Sequence, residues 1–110
     1  MNIKSLTIYC SSSNNLDDEY YRCTREISEI LSNHHISVVY GGGQVRLMGE
    51  LAKRSVQLGN KVIGIIPEFL IEQEKALIDK IDLRIVKNMQ ERKKLLFDLG
   101  DGFLILPGGT

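Results

Sequence analysis

Little in this sequence points outward. Fourteen Lys and Arg residues balance fourteen Asp and Glu, so no net field recruits nucleic acid or an anionic membrane surface. There are two cysteines, Cys10 and Cys23, in different expected elements and without C-x-x-C spacing. That argues against a disulfide framework and leaves free thiols in a reducing compartment as the simpler reading. No uncharged apolar run approaches the length of a membrane span. The apolar stretch behind Lys4 breaks at Cys10-Ser11-Ser12-Ser13, too short and too polar for a secretory signal. Internal repeats, low-complexity tracts and linkers are also missing. What remains is a 110-residue chain, 43% hydrophobic and 25% charged. It fits one cytoplasmic domain with a radius of gyration of about 13 Å.

Short strand-like runs alternate with longer helix-like ones. Ile3 to Cys10 reads as a strand ending in a Ser/Asn-rich loop. Asp17 to Leu31 places Tyr20, Cys23, Ile27, Ile30 and Leu31 on one helical face. Acidic Asp17, Asp18 and Glu19 load its first turn, where the helix dipole favours them. Ile36 to Tyr40 is a second strand, followed by Gly41-Gly42-Gly43. A second helix carries Leu47, Met48, Leu51, Ala52, Ser55 and Leu58 and stops at Gly59. Val62 to Ile66 is a third strand closed by Pro67, and Ile71 to Lys80 is a short helix or a loop. Leu83 to Val86 is a weak fourth strand. Asn88 to Leu99 is a helix with Asn88 as N-cap and Glu91 at N3, close to a capping box. Phe103 to Leu106 is a strand leading into Pro107-Gly108-Gly109. The alternation predicts an α/β, Rossmann-like three-layer sandwich: a mainly parallel sheet with right-handed crossovers and helices on both faces. Phe103 to Leu106 is uncharged, as in a strand buried on both faces, yet no helix follows within the 110 residues. The expectation is therefore a single domain over 1–110, incomplete at its C-terminal side.

Two glycine clusters follow strands, Gly41-Gly42-Gly43 and Pro107-Gly108-Gly109. In open α/β sheets ligands bind outside the carboxyl ends of the strands. Glycine lets backbone approach a phosphate there, and the next helix offers unpaired N–H groups. Either cluster alone reads as a tight turn; the two together favour phosphate binding. The standard nucleotide signatures do not fit. Arg46 stands at the last glycine position of G-x-G-x-x-G counted from Gly41, and no Gly-Lys-Ser/Thr follows the turn.

Arg92 stands out among single residues. It lies in the first turn of its helix, on the stripe formed by Met89, Leu96 and Leu99. Either it points along the core-facing side or it snorkels to water from the helix end. Lys93 and Lys94 fall off the stripe and read as solvated. His34-His35 sits near a helix C-terminus, where positive charge is favourable, and no carboxylate or thiol partners at metal-binding spacing accompany it.

Several segments together carry a family resemblance. Val39-Tyr40-Gly41-Gly42-Gly43-Gln44-Val45-Arg46-Leu47-Met48-Gly49 is similar to V-Y-G-G-G-x-x-G-L-M-G. Gly64-Ile65-Ile66-Pro67-Glu68-Phe69-Leu70 resembles G-V-I-P-x-x-L, and Met89-Gln90-Glu91-Arg92-Lys93 resembles M-x-x-R-K. Leu106-Pro107-Gly108-Gly109-Thr110 is similar to the opening of P-G-G-x-G-T-x-x-E, and Tyr9-Cys10-Ser11-Ser12 to F-C-G-S-S. In this order and spacing the segments resemble the Lonely Guy family, cytokinin riboside 5′-monophosphate phosphoribohydrolases that are often mislabelled lysine decarboxylases.

The resemblance implies a Rossmann-like hydrolase that cleaves the N-glycosidic bond of adenosine-type nucleoside 5′-monophosphates to base and ribose 5-phosphate. It implies a homodimer or larger homo-oligomer with sites near the subunit interface. It carries phosphate or nucleotide binding onto Ser11, Gly42, Gly43, Gly49, Gly108, Gly109 and Thr110, and catalysis onto Arg92. The chemistry requires no metal or redox cofactor, and nothing in the sequence suggests pyridoxal phosphate. Three departures stand beside this. Ser11 replaces a glycine, Arg46 replaces a glycine of the phosphate turn, and the sequence stops before the G-T-x-x-E whose glutamate is the family's catalytic carboxylate. The 110 residues alone are accordingly expected to be inactive, or to serve as a non-catalytic nucleotide-binding or sensing module.

Overall fold

Short runs of β-branched and aliphatic residues become strands, and the longer amphipathic stretches between them become helices. The computed structural model describes residues 2–10, 17–76 and 79–106. The elements in order are β1 (Ser5–Tyr9), α1 (Asp18–Asn33), β2 (Ser37–Tyr40), α2 (Arg46–Gln57), β3 (Val62–Pro67), a 3-10 turn (Glu68–Leu70), β4 (Asp82–Val86), α3 (Met89–Leu99) and β5 (Phe103–Ile105). The strands form one five-stranded sheet in the order β4-β3-β2-β1-β5, with every neighbouring pair parallel. The radius of gyration is 12.8 Å. Among the described residues, no helix is long and apolar enough to cross a membrane.

The connections through α1 and α2 march from β1 toward β3, and the one through α3 runs back from β4 to β5. Right-handed crossovers therefore put α1 and α2 on one face and α3 on the other. The side chains agree. Val38 and Tyr40 of β2 join Leu31, Leu47 and Leu51 in one core, while Val39 between them joins Ile63, Ile65 and Leu96 in a second. Helices cover both faces, as the alternation predicts.

The contact between α1 and α2 is lined by small residues. Thr24 and Ser28 of α1 are fully buried, as are Ala52 and Ser55 of α2. The first two hydroxyls donate back into their own helix, to the carbonyls of Tyr20 and Thr24. The buried face of α1 is thus rotated from the apolar positions alone, and Ile30 is 55% exposed. Both helices end in the same device. The backbone N–H groups of His35 and Ile36 donate to the carbonyls of Ser32 and Leu31, and those of Gly59 and Asn60 to the carbonyls of Val56 and Ser55. This Schellman closure needs a left-handed residue at the turn. Gly59 supplies it at φ +75°, whereas His35 supplies it at φ +55° with a side chain to accommodate.

The described part of 71–80 takes the loop alternative, as turns and bends. β5 is buried on one side only: Leu106 beyond its end is buried, but Phe103 and Ile105 face solvent on the α3 side. α3 starts as expected, with the Asn88 side chain accepting from Glu91.N at 2.9 Å. The Glu91 carboxylate reaches back one residue further than in a standard box, accepting from Lys87.N. The helix then runs over the sheet, and its C-terminal end is fixed to β1 by the Thr7 hydroxyl, which donates to the Leu96 carbonyl.

Candidate active site

The strand order reverses at β1, which has β2 on one side and β5 on the other. A crevice at the carboxyl end of such a strand is where open α/β sheets bind ligands. A cavity of about 260 Å3 lies there, walled by Tyr9 at the end of β1 and Cys10 after it, Gly41 after β2, Glu74 and the first turns of α3.

Arg92 forms its floor. Its residue exposure is 8%, so the guanidinium turns inward instead of snorkelling. Nε donates to the Ile65 carbonyl at 3.0 Å, and Nη2 donates to the Gly41 carbonyl at 2.7 Å and to Glu74 Oε1 at 2.8 Å. The register explains one acceptor. β2 ends at Tyr40 opposite Gly64, so Ile65 lies one residue past its last β2 partner and its carbonyl takes the arginine. Gly41 explains the close approach, since a Cβ there would stand 2.5 Å from Arg92 Nη2. Nη1 has no acceptor among the described residues, leaving two N–H groups on a cationic group at the cavity wall.

The glycine turn is built against its own chain. Gly42 has φ +82° and lies under β3, where a Cβ on Gly64 would come within 2.7 Å of its Cα. A Cβ on Gly43 would meet the Glu74 carbonyl at 2.6 Å. That carbonyl also accepts from Gln44.N at 2.8 Å. The Tyr40 hydroxyl donates to the Gly43 carbonyl at 3.0 Å and anchors the turn to the core. Burial pushes the Tyr40 phenol up, with the neighbouring Cys10 adding to it. Burial also pushes the Cys10 thiol up to about 12. At neutral pH it is a protonated, apolar wall and not a nucleophile.

The structure brings Arg92 and the Gly41–Gly43 turn together but sets Gly49 apart. Gly49 is packed on the Gln44 carbonyl and borders a second, larger cavity of about 540 Å3 with Arg46, Lys53 and Lys80. Arg46, the residue in place of a family glycine, lines this second cavity and not the one over Arg92. Ser11, Gly108, Gly109 and Thr110 lie outside the described residues. Lys93 is exposed as expected, at the rim of the Arg92 cavity. Glu74 was not singled out by the sequence. It sits in a polar stretch without periodicity and meets Arg92 only through the fold. Gly41 belongs to a visible cluster, but its partner is the arginine side chain.

The chain is similar to known proteins in sequence and in fold. A family model described as "Possible lysine decarboxylase" matches residues 48–110. A cytokinin riboside 5′-monophosphate phosphoribohydrolase of Rhodococcoides fascians is 36% identical over 97% of this chain and 54% of its own length. One of Mycobacterium tuberculosis is 31% identical over 96% of this chain and 56% of its own length. The chain thus spans about half the length of the curated relatives it matches. Among solved structures, the molybdenum cofactor carrier protein of Chlamydomonas reinhardtii superposes with a TM-score of 0.78 at 14% identity, over 98% of this chain and 65% of that one. At that identity the likeness is one of fold.

Proposed function

We propose that this chain, which belongs to the Lonely Guy family of cytokinin riboside 5′-monophosphate phosphoribohydrolases, forms the phosphate-side half of a nucleoside 5′-monophosphate N-glycosidase. The observation that carries the proposal is the buried Arg92, held at the carboxyl edge of the sheet by three acceptors, with Nη1 left over among the described residues. A buried, preorganised cation in a cleft is worth far more to an anion than the same charge in water.

In the proposed reaction the bond from C1′ to the base nitrogen breaks, and water adds at C1′. The sugar passes through an oxocarbenium-like state that a carboxylate stabilises while the water attacks. Arg92 contributes through Nη1, either to the 5′-phosphate or to that carboxylate. The glycine turn and Pro107-Gly108-Gly109-Thr110 supply backbone N–H groups to the phosphate. Family resemblance puts the carboxylate in G-T-x-x-E, so turnover is assigned to a chain carrying that glutamate. The proposed working form is a cytoplasmic homodimer or larger homo-oligomer.

The test is a chimera in which the second half of the Rhodococcoides fascians relative follows Thr110. It should release base from AMP or from a cytokinin riboside 5′-monophosphate, while the 110 residues alone bind without release. Arg92→Ala in the chimera should lower turnover by about 100-fold or more. It should also lower the melting temperature, because it leaves the Ile65 and Gly41 carbonyls without their donor. Near-normal turnover in Arg92→Ala would remove the arginine from the mechanism. Tight binding by the chimera without base release would favour a nucleotide-binding module.

A further inference from the structure

Glu74 touches both halves of the site, through different atoms. Its carboxylate pairs with Arg92 Nη2 at 2.8 Å, with side-chain exposures of 21% for Glu74 and 10% for Arg92. Its backbone carbonyl takes the Gln44 N–H at 2.8 Å and lies against Gly43 so closely that a Cβ there would be 2.6 Å away. The turn that carries it is itself tied down, with Glu74.N donating to Leu70 at 2.9 Å. Its carboxylate also stands in the wall of the cavity.

We infer that Glu74 is the positioning residue of the site: it fixes the roll of the Arg92 guanidinium so that Nη1 is the edge presented to the ligand, and it couples that orientation to the glycine turn. Nε and one Nη2 proton are fixed by the carbonyls of Ile65 and Gly41. These two bonds fix where the group sits. Among the described residues, the second Nη2 proton is satisfied by Glu74. Without it a buried N–H seeks another acceptor, and the ligand anion is the one at hand. Arg92 would then rotate toward the anion and lose its preset geometry. The carboxylate also offsets part of the arginine charge, so the site favours an anion that reaches Nη1 over any anion that merely enters. Gly43 and Arg92 both meet Glu74, one at its backbone carbonyl and the other at its carboxylate.

The role rests on the proposed nucleotide function, but its first test does not. In the ligand-free 110-residue chain, the side-chain Nε–Hε and Nη resonances of Arg92 report how firmly the guanidinium is held. Arg92→Lys identifies these resonances by their loss. Glu74→Ala and Glu74→Asp should collapse the separate Nη signals, because aspartate is one methylene too short to reach. Glu74→Gln should keep them, since its amide oxygen still accepts. Gly43→Ala should perturb them as well, by displacing the Glu74 backbone. In parallel, AMP affinity should fall by about 10-fold or more in Glu74→Ala, the scale of one charge-assisted bond, and by no more than about 3-fold in Glu74→Gln. Unchanged Arg92 signals in Glu74→Asp would overturn the proposal, as would Glu74→Gln behaving like Glu74→Ala. If the signals respond as expected while the parent chain shows no preference for AMP over adenosine, positioning stands and the nucleotide reading fails.

Discussion

The two faces of the sheet are finished differently. On the α1/α2 face, Leu47, Leu51 and Ala52 have no exposed surface, and both helices close in the same hydrogen-bonded turn. On the α3 face a single helix covers the middle strands, leaving Phe97, Phe103 and Ile105 at 65%, 48% and 76% exposure. Tyr9 and Phe103 stack with ring centroids 6.2 Å apart, and Phe97 lies 5.5 Å from Phe103. The first face is a stability face. The second holds the arginine, the cavity and, among the described residues, an exposed aromatic row, so sealing and the proposed site are divided between the two sides of one sheet.

Substitutions should separate the faces sharply. Leu51→Ala removes a fully buried side chain and should cost about 2–5 kcal/mol. Phe97→Ala should cost about 0.5 kcal/mol, typical of a surface change. Denaturant melts of both variants make the comparison, and equal losses would erase it. The exposed row has a consequence of its own. The 110-residue chain by itself should self-associate or melt below about 60 °C, and Phe97→Ser with Phe103→Ser should raise the monomer fraction.

Alkaline titration probes the seam between the faces. The Cys10 thiol is raised by burial from 9.0 to about 12. A raised folded-state value means that its contribution to stability is complete below about pH 9 and is lost as pH rises toward 12. Stability should fall across that window, and Cys10→Ser should flatten the fall. Burial raises the Tyr40 phenol in the same direction. An effect as small as that of Phe97→Ala, but of opposite sign, is expected at the end of α1. His35→Gly should gain about 0.5 kcal/mol by relieving the left-handed strain that Gly59 avoids in α2, with no change in ligand binding.

The sealed face was largely legible in the sequence, because its signals are local. Gly59 marked the end of α2, and the buried Leu47, Leu51, Ala52 and Ser55 all lie on the run that predicted that helix. The buried face of α1 was harder to read, since Thr24 and Ser28 are polar by type and buried only because α2 comes close. The site was half legible. Arg92 declared itself by lying on an apolar stripe, but its acceptors are 27, 51 and 18 residues away in sequence. Two of them are backbone carbonyls, which carry no sequence signal at all. Glu74 lies in a segment whose shape is set by the turn after β3 and not by periodicity.

The central claim is that Arg92, fixed at the carboxyl edge of the sheet, recognises the anion of a nucleoside 5′-monophosphate. Calorimetric titration of AMP and of adenosine into the parent chain and into Arg92→Lys tests it most directly, with melting recorded for both proteins. Lysine keeps the charge but cannot hold the Ile65 and Gly41 carbonyls while presenting a further N–H. The account predicts that the parent prefers AMP to adenosine by about 10-fold or more, the scale of one charge-assisted hydrogen bond. It predicts that Arg92→Lys loses most of that preference while still folding. An AMP preference left intact in a folded Arg92→Lys protein would contradict it.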